Sequence, residues 1–418
     1  MKLLVQKYLE THSFSDLARE HGVYASFSKS GHKWSLNYDM IEAKEDDLLA
    51  QECRGLILAL KDGSPVFATG TTGFSTRDLT VPGETIILGR AMDRFFNYGQ
   101  GSSAQINWSD PKLAVLEKLD GTLCIVYWDK FTHEWCVATR SVPEADLLMD
   151  NGIYTFRTLF EKALQETCGF SFQEYTSKLD PEITYCFELT TPYNRIVVYY
   201  PNSKITLLAA REVLYETDQW GEKCVSLSEL DISIIDSFGV PKVRAYSYHS
   251  IEELVNWVSS LDPSQHEGVV VRDGNFNRIK IKNAAYVAAS KIRESLATSP
   301  RNCLELILLG KDDDAASFLP QEIQANLVSL KEKFVLWLKG QEALAQKIIE
   351  EARSIAPDKK TFALTVQKYK PDVPAALFTI YDGKANSIKS FIDNNRKEGT
   401  WSDSFLDKIL ELSKNFHD

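Results

Sequence analysis

Hydrophobic and polar positions change rhythm once along this chain, near residue 283. Before that point, short alternating or apolar runs are broken by Gly, Pro, Asn and Asp. They include "RGLILAL", "KLAVLEK", "TLCIVYW", "EWCVATR", "ITYCFEL", "RIVVYY", "ITLLAA", "EGVVVR" and "RIKIKN". Runs of that length and punctuation are β-strand patterns. Helical stretches over 152–168 and 250–260 fall between them. The mixture predicts an α+β domain with largely antiparallel sheets over residues 1–283. Beyond it, apolar residues recur at helical spacing, as at Ile323, Leu327, Leu330, Phe334, Trp337, Leu344 and Ile348. Pro320 suits a first helical turn, Pro357 a stop and Gly340 a break. With further helices over 384–395 and 401–416, residues 284–418 are expected to form an all-α domain.

One segment raises a chemical question. "AVLEKLDGTLCIVYW", residues 114–128, sets two apolar strands around Asp120-Gly121, the pattern of a β-hairpin. It also presents Lys118 at the lip of the turn. A K-x-D-G tetrapeptide is weak evidence alone, since chance gives one in on the order of a tenth of chains this long. Its weight comes from three segments further along the chain. In "ITYCFEL", period two puts Ile183, Tyr185 and Phe187 on one face and Thr184, Cys186 and Glu188 on the other. "EGVVVR" sets Glu267 at the mouth of a buried strand, and "RIKIKN" lines up Arg278, Lys280 and Lys282 opposite Ile279 and Ile281. Such a row spaces its cations ~7 Å apart, suited to a phosphate chain. Singly, these are an edge position, a loop carboxylate and a solvated basic face. In order, they outline a covalent nucleotidyltransferase built on a lysine nucleophile.

From about residue 50 to 283 the chain resembles the ATP-dependent RNA ligases of the bacteriophage type, a group that seals broken tRNA. "EKLDGTL" looks like motif I, "YCFELTTPYNRIVV" like motif III, "LLAARE" like motif IIIa, "EGVVVR" like motif IV and "IKIKN" like motif V. "CRGLIL" and "GRAMDRFFNYG" resemble two upstream segments of that family. Three positions depart from related patterns. Leu123 stands where DNA ligases and capping enzymes carry arginine, Arg94 where this family carries lysine, and "TRS" around Arg140 where it carries Lys-Gly. The resemblance implies a nucleotidyltransferase fold with Lys118 as nucleophile, assisted by Lys280, Lys282 and Arg54. It implies nucleotide contacts from Glu117, Arg54, Arg94, Phe96, Gly121, Arg140, Glu188, Glu267, Val269, Lys280 and Lys282. ATP would be the nucleotide and Mg²⁺ the metal, with Mn²⁺ as a substitute. Metal contacts would come from Asp120, Glu188 and Glu267, directly or through water. Asp312 and Asp313 in "KDDD" would aid a second ion, unless that run is simply a helix-end charge cluster. The substrate implied is RNA with 5′-phosphate and 3′-OH ends, such as nicked tRNA, with the helical domain selecting it. No G-x-x-x-x-G-K-[ST] motif occurs, so end-healing kinase or phosphatase activity is assigned to a separate protein. Two rival readings keep part of this picture: a nucleotidyltransferase acting on DNA or cap-like ends, and a non-catalytic RNA-end binding module.

Composition narrows the field further. With 44% hydrophobic and 25% charged residues, and no apolar run near the ~20 residues of a membrane span, a soluble enzyme is expected. "MKLLVQKYLETHSF" is broken by charge too early for a secretory signal. Seven scattered cysteines without C-x-x-C spacing imply reduced thiols in a cytoplasm, which for a viral enzyme means that of the host. The seven histidines form no H-E-x-x-H pattern, which argues against a zinc protease. A net charge of −11 means that any RNA contact needs a local positive groove. A free lysine with pKa ~10.4 is only about 0.1% neutral near pH 7.4, so a lysine nucleophile needs help from its site.

Overall fold

The computed structural model describes residues 2–39, 42–67, 80–81, 83–146, 148, 153–219, 221–248, 250–290, 299–309, 321–356, 358–396 and 401–414. Two compact units emerge, Met1–Val287 and Ala288–Asp418. The first unit is mixed α+β and stacks three antiparallel-rich sheets. Strands β1 (Val23–Phe27), β2 (Lys33–Tyr38), β3 (Leu56–Leu60) and β4 (Thr85–Arg90) form the first, in chain order. Helices α1 (Leu4–Leu9), α2 (Phe14–His21) and α3 (Leu48–Glu52) accompany it, with Leu9, Leu17, Trp34, Leu36, Leu56 and Leu58 in one core. Alternation along β3 sends Ile57 and Ala59 the other way, against Ile125, Tyr127, Ala138 and Cys186 of the second sheet.

The other strands are β5 (Phe96–Asn97), β6 (Ala114–Lys118), β7 (Thr122–Asp129), β8 (Glu134–Thr139), β9 (Ile183–Thr190), β10 (Lys204–Glu212), β11 (Leu214–Asp218), β12 (Gly221–Ser226), β13 (Glu229–Leu230), β14 (Ala245–Tyr246), β15 (Gly268–Arg272) and β16 (Arg278–Lys282). The second sheet has the order β13-β10-β9-β7-β8, the third β14-β6-β15-β16-β5, and β11-β12 stand as a pair. Helices α4 (Phe156–Cys168) and α5 (Phe172–Thr176) place Leu159, Phe160 and Tyr175 against Phe187 and Leu207 on the outer face of the second sheet. Thr155 caps α4, so this helix starts later than the expected 152. Helix α6 (Ile251–Ser260) covers the third sheet through Leu254 and Val258, which meet Val115, Val269, Val271, Ile279 and Ile281.

The hairpin expected over 114–128 does not form. Strand β6 pairs with β14 and β15, whereas β7 pairs with β8 and β9. The turn at Leu119–Gly121 therefore carries the chain from the third sheet to the second. Two apolar runs flanking Asp-Gly satisfy a hairpin pattern locally. Here each finds its hydrogen-bond partners in strands far away in sequence, Lys118 opposite Gly268 and Thr122 opposite Leu189.

The described elements of the second unit are helices α7 (Pro300–Leu309), α8 (Gln321–Ile355), α9 (Lys359–Tyr369), α10 (Pro374–Tyr381), α11 (Ile388–Asn394) and α12 (Asp403–Lys414). The break expected at Gly340 is absent, because α8 runs straight through it. A helical glycine costs about 1 kcal/mol relative to alanine. That is outweighed by Phe334, Trp337, Ala345 and Ile348, which are buried among Phe362, Leu377, Ile392 and Ile409. Asp372 adds a polar anchor, accepting from Trp337 Nε1 and Gln341 Nε2 at 2.8 Å each. Pro320, Pro357, Asp312 and Asp313 lie outside the described residues. No disulfide joins any of the seven cysteines, and no described helix is long and apolar enough to cross a membrane.

Candidate active site

Strand register brings the site together. Lys118 on β6 is opposite Gly268 on β15, which is opposite Lys282 on β16. One step along, Leu116, Val270 and Lys280 form the neighbouring row. Period two therefore puts Leu116, Lys118, Val270, Lys280 and Lys282 on the face of the third sheet away from α6. Gly268 lies between two lysines with φ +144°, and a Cβ there would sit 2.1 Å from the Ile281 carbonyl oxygen. Glycine is required by both counts. The buried carboxylate of Glu267 gathers the two ammonium groups, accepting from Lys118 Nζ at 2.7 Å and Lys282 Nζ at 2.8 Å. Its backbone is pinned by the Asn283 N–H, which donates to the Glu267 carbonyl at 2.9 Å.

Across from this row stands Glu188, on β9 between β7 and β10, so it is not the solvated edge residue that its strand alone permits. The Gly121 N–H donates to Glu188 Oε1 at 3.1 Å. Loss of water around the carboxyl pushes its pKa up to about 7, and the negative charge of Glu267 adds to this. Lys118, Arg54 and the Gly121 N–H pull the other way. Lys280 moves in the opposite sense. Burial first, then repulsion from Lys118, Lys282 and Arg54, bring its pKa down to about 7. The Phe95 ring is shared by two cations, with Lys280 Nζ 5.2 Å and the Arg54 guanidinium 5.4 Å from its centroid. Arg54 Nη1 also donates to the Met92 carbonyl at 3.4 Å, and Arg140 lies over the Tyr38 ring at 5.9 Å. Lys118, Lys280, Lys282 and Arg54 thus face Glu188 and Glu267, a local excess of cations in an acidic chain. Such an arrangement receives a polyphosphate.

Several sequence-derived assignments move. Val269 is fully buried on the α6 face, because it pairs with Ile281 and Glu117 rather than with the lysine row. Val270, paired with Leu116 and Lys280, is half-buried on the face that carries the lysine row. The Glu117 side chain shares the far face, 4.0 Å from His266 Nδ1, and its N–H donates to the Arg244 carbonyl. Phe96 pairs with Ile279, so its buried ring turns from Lys280, and the neighbouring Phe95 faces the site. Arg94 is buried against the rings of Tyr38 and Phe96 and donates to the carbonyls of Ala43 and Lys44 at 3.2 and 3.4 Å. Arg278, on the lysine face of β16, is taken up by an ion pair with Glu229, leaving only the lysine pair to serve the site.

Asp120 acts as a latch within the turn. Its Oδ2 accepts from the Val197 and Val198 N–H groups at 2.8 Å each, and its Oδ1 accepts from the Tyr286 hydroxyl at 2.6 Å. Its own N–H donates to the Tyr200 hydroxyl at 3.2 Å. With the residue 3% exposed, both carboxylate oxygens are committed. Gly121 completes the turn, since a Cβ there would meet the Leu189 carbonyl oxygen at 2.4 Å. Among the described residues, no group of three or more His, Cys, Asp or Glu side chains is placed to hold a metal.

Comparison with known proteins places this geometry in context. A family model described as RNA ligase, of the T4 type, matches residues 52–286, more than half of the chain. A protein of Autographa californica nuclear polyhedrosis virus, named for both polynucleotide kinase and RNA ligase, is 30% identical over 297 residues. That alignment covers 68% of this chain but only 37% of the baculovirus protein. An RNA ligase of Rhodothermus phage RM378 is 24% identical over 340 residues, covering 68% of this chain and 75% of the phage protein. Among solved structures, an archaeal ATP-dependent RNA ligase has a TM-score of 0.40 and 16% identity, covering 67% of this chain and 63% of that one.

Proposed function

This chain belongs to the RNA ligase family, and on that premise we propose that it joins RNA 3′-OH and 5′-phosphate ends at the expense of ATP, through an adenylate carried on Lys118. The observation that carries the reading is the convergence of Lys118 and Lys282 on Glu267, with Lys280, Arg54 and Glu188 around them.

In the first step Lys118 Nζ attacks the α-phosphorus of ATP, forming a P–N bond and releasing pyrophosphate. Glu267 Oε2, 2.7 Å away, is an acceptor for the proton that the amine sheds. Lys280, Lys282 and Arg54 neutralise the leaving phosphates, and this charge stabilisation is most of what phosphoryl transfer demands of a protein. In the second step a 5′-phosphate oxygen of RNA attacks the lysyl-AMP phosphorus and Lys118 departs as an amine. In the third, an RNA 3′-OH attacks the 5′-phosphate, AMP leaves, and a phosphodiester closes. Leu116 and Val270, on the face of Lys118, offer apolar ground for the adenine.

Mg²⁺, or Mn²⁺ in its place, fits as an ion that arrives with the nucleotide. Glu188 and Glu267 supply one or two carboxylates without a protein cage, the usual arrangement for Mg²⁺ on substrate phosphates. When bound it offsets charge on the leaving pyrophosphate. Nicked tRNA is the natural substrate on this reading, with the helical unit selecting it, other protein components preparing its ends, and a reducing cytoplasm as the setting.

The test mixes the protein with α-labelled ATP and Mg²⁺ without RNA and follows label on the denatured chain. Acid-labile label from ATP, absent from GTP and from Lys118→Ala, is the expected result. Absence of label from either nucleotide would overturn the mechanism in favour of RNA-end binding. An acceptor panel of RNA, DNA and capped ends then identifies the second substrate.

A further inference from the structure

We propose that the loop over residues 192–200 is a stacking platform for the single-stranded end of the RNA, with Tyr193 and Tyr199 as the rings on which bases lie. The identity of the ligand rests on the ligase reading. Both rings face solvent, Tyr199 at 58% and Tyr193 at 43% exposure, in a loop that buries Val197 and Val198. Each ring carries a cation. The Arg195 guanidinium lies 5.7 Å from the Tyr199 centroid, and Lys162 Nζ lies 5.5 Å from that of Tyr193. Tyr154 extends the second group, with its ring 5.0 Å from Tyr193 and 5.1 Å from Lys162 Nζ. Lys162 also faces Glu166 at 4.0 Å, on the turn of α4 that succeeds it.

The loop is built as a rigid mount. Val197 and Val198 donate to Asp120, Asn194 Nδ2 donates to Thr122 Oγ1 at 2.8 Å, and the Tyr200 hydroxyl receives the Asp120 N–H. Every one of these bonds ends on or beside the turn that presents Lys118. The loop's backbone is thereby fixed beside the turn that carries the nucleophile, and little conformational entropy is lost when a ligand settles on it.

Charge favours nucleic acid over a protein partner. No Asp or Glu occurs between Glu188 and Glu212, in a chain that holds 58 acidic residues. A polyanion repelled by the bulk of the protein meets there an acid-free segment with Arg195 and Lys204. Aromatic faces backed by cations bind single strands without regard to sequence, since every base has a face to stack.

The test measures two quantities on the full chain: affinity for a 5′-phosphorylated single-stranded RNA without ATP, by fluorescence anisotropy, and lysyl-AMP formation without RNA. Variants are Tyr199→Ala, the double Tyr193→Ala/Tyr199→Ala, and the matching Phe substitutions. Each ring removed should weaken RNA binding by roughly ten-fold, Phe should restore it, and lysyl-AMP formation should not change. RNA affinity unchanged in the Ala variants would overturn the platform, as would Phe variants as weak as Ala. Retention of RNA with loss of a protein partner would do the same. Tyr199→Ala alone alters an exposed ring and keeps the test open if the double variant does not fold. Wild-type protein that binds RNA through these rings yet forms no lysyl-AMP would refute the ligase reading and support the platform.

Discussion

Raising the pH from 7 to 9 is expected to weaken ATP binding at the lysine cluster, by an amount that Lys280 sets. Its ammonium form is disfavoured by burial and by the neighbouring cations, with a pKa of about 7 against an ordinary 10.5. At about 1.36 kcal/mol per unit, that difference corresponds to about 5 kcal/mol against the charged form. A polyphosphate placed among Lys280, Lys282 and Arg54 reverses the balance, because it favours the ammonium and brings the pKa back up. Binding must then take up a proton wherever free Lys280 is neutral. About half of the free protein carries the charge at pH 7, and about one molecule in eleven at pH 8. Affinity should accordingly fall about five-fold from pH 7 to 8 and about ten-fold more by pH 9, with uptake of about 0.9 proton at pH 8. The phosphates of ATP, with a last ionisation near 6, are already ionised there and do not mask the effect. Titration calorimetry without divalent cation, in two buffers of different ionisation enthalpy, reads the uptake directly, and Lys280→Met should lower it to the share contributed by Glu188, whose pKa near 7 an anionic ligand also raises. Heats that do not depend on the buffer at pH 8, or affinity that stays flat from pH 7 to 9, would refute the reasoning.

Three further outcomes are expected. Glu188 has a folded pKa near 7 against an ordinary 4.5, so the unfolded chain ionises first as pH rises, and a stability cost grows from pH 4.5 to reach about 3 kcal/mol above 7. Glu188→Gln should therefore melt higher than wild type at pH 8, with the gap closing at pH 4.5; equal gaps at both pH values would contradict this. Asp120→Ala strands three buried donors and should cost about 3 kcal/mol or more in urea unfolding. A loss under about 1 kcal/mol, with altered metal dependence, would return Asp120 to the role of metal ligand. Val269→Ala should lower stability by about 2 kcal/mol and leave ATP affinity alone, while Val270→Ala should do the reverse, as thermal melts and ATP titrations on both would reveal.

Much of this site was legible because strand alternation and motif order are local properties. Period two along "RIKIK" was enough to align Lys280 with Lys282, and period two along "ITYCFEL" separated Glu188 from Phe187. What alternation does not reveal is which face of one strand meets which face of the next. Val269 and Val270 are interchangeable in sequence, and only the pairing of Val269 with Ile281 decides between them. Phe95 and Phe96 differ in the same way, through a short parallel pairing with β16. The role of Asp120 is less local still, for its acceptor atoms are claimed by residues 77, 78 and 166 positions away. The false hairpin has the same origin, as an Asp-Gly pair between apolar runs fits a sheet-to-sheet corner equally well. Gly340 shows propensity losing to packing, with Trp337 fully buried on the same helix.

The missing side chain at Gly268 has a consequence for how this site can change over time. Any Cβ there collides with the neighbouring strand, so the residue admits no graded series of substitutions. Glu267, one position earlier, holds both lysines, and its loss would leave two ammonium groups facing each other across an unfilled gap. A library aimed at a different nucleotide should leave Glu267 and Gly268 untouched and vary Leu116 and Val270, which border the same face without holding the turn in place.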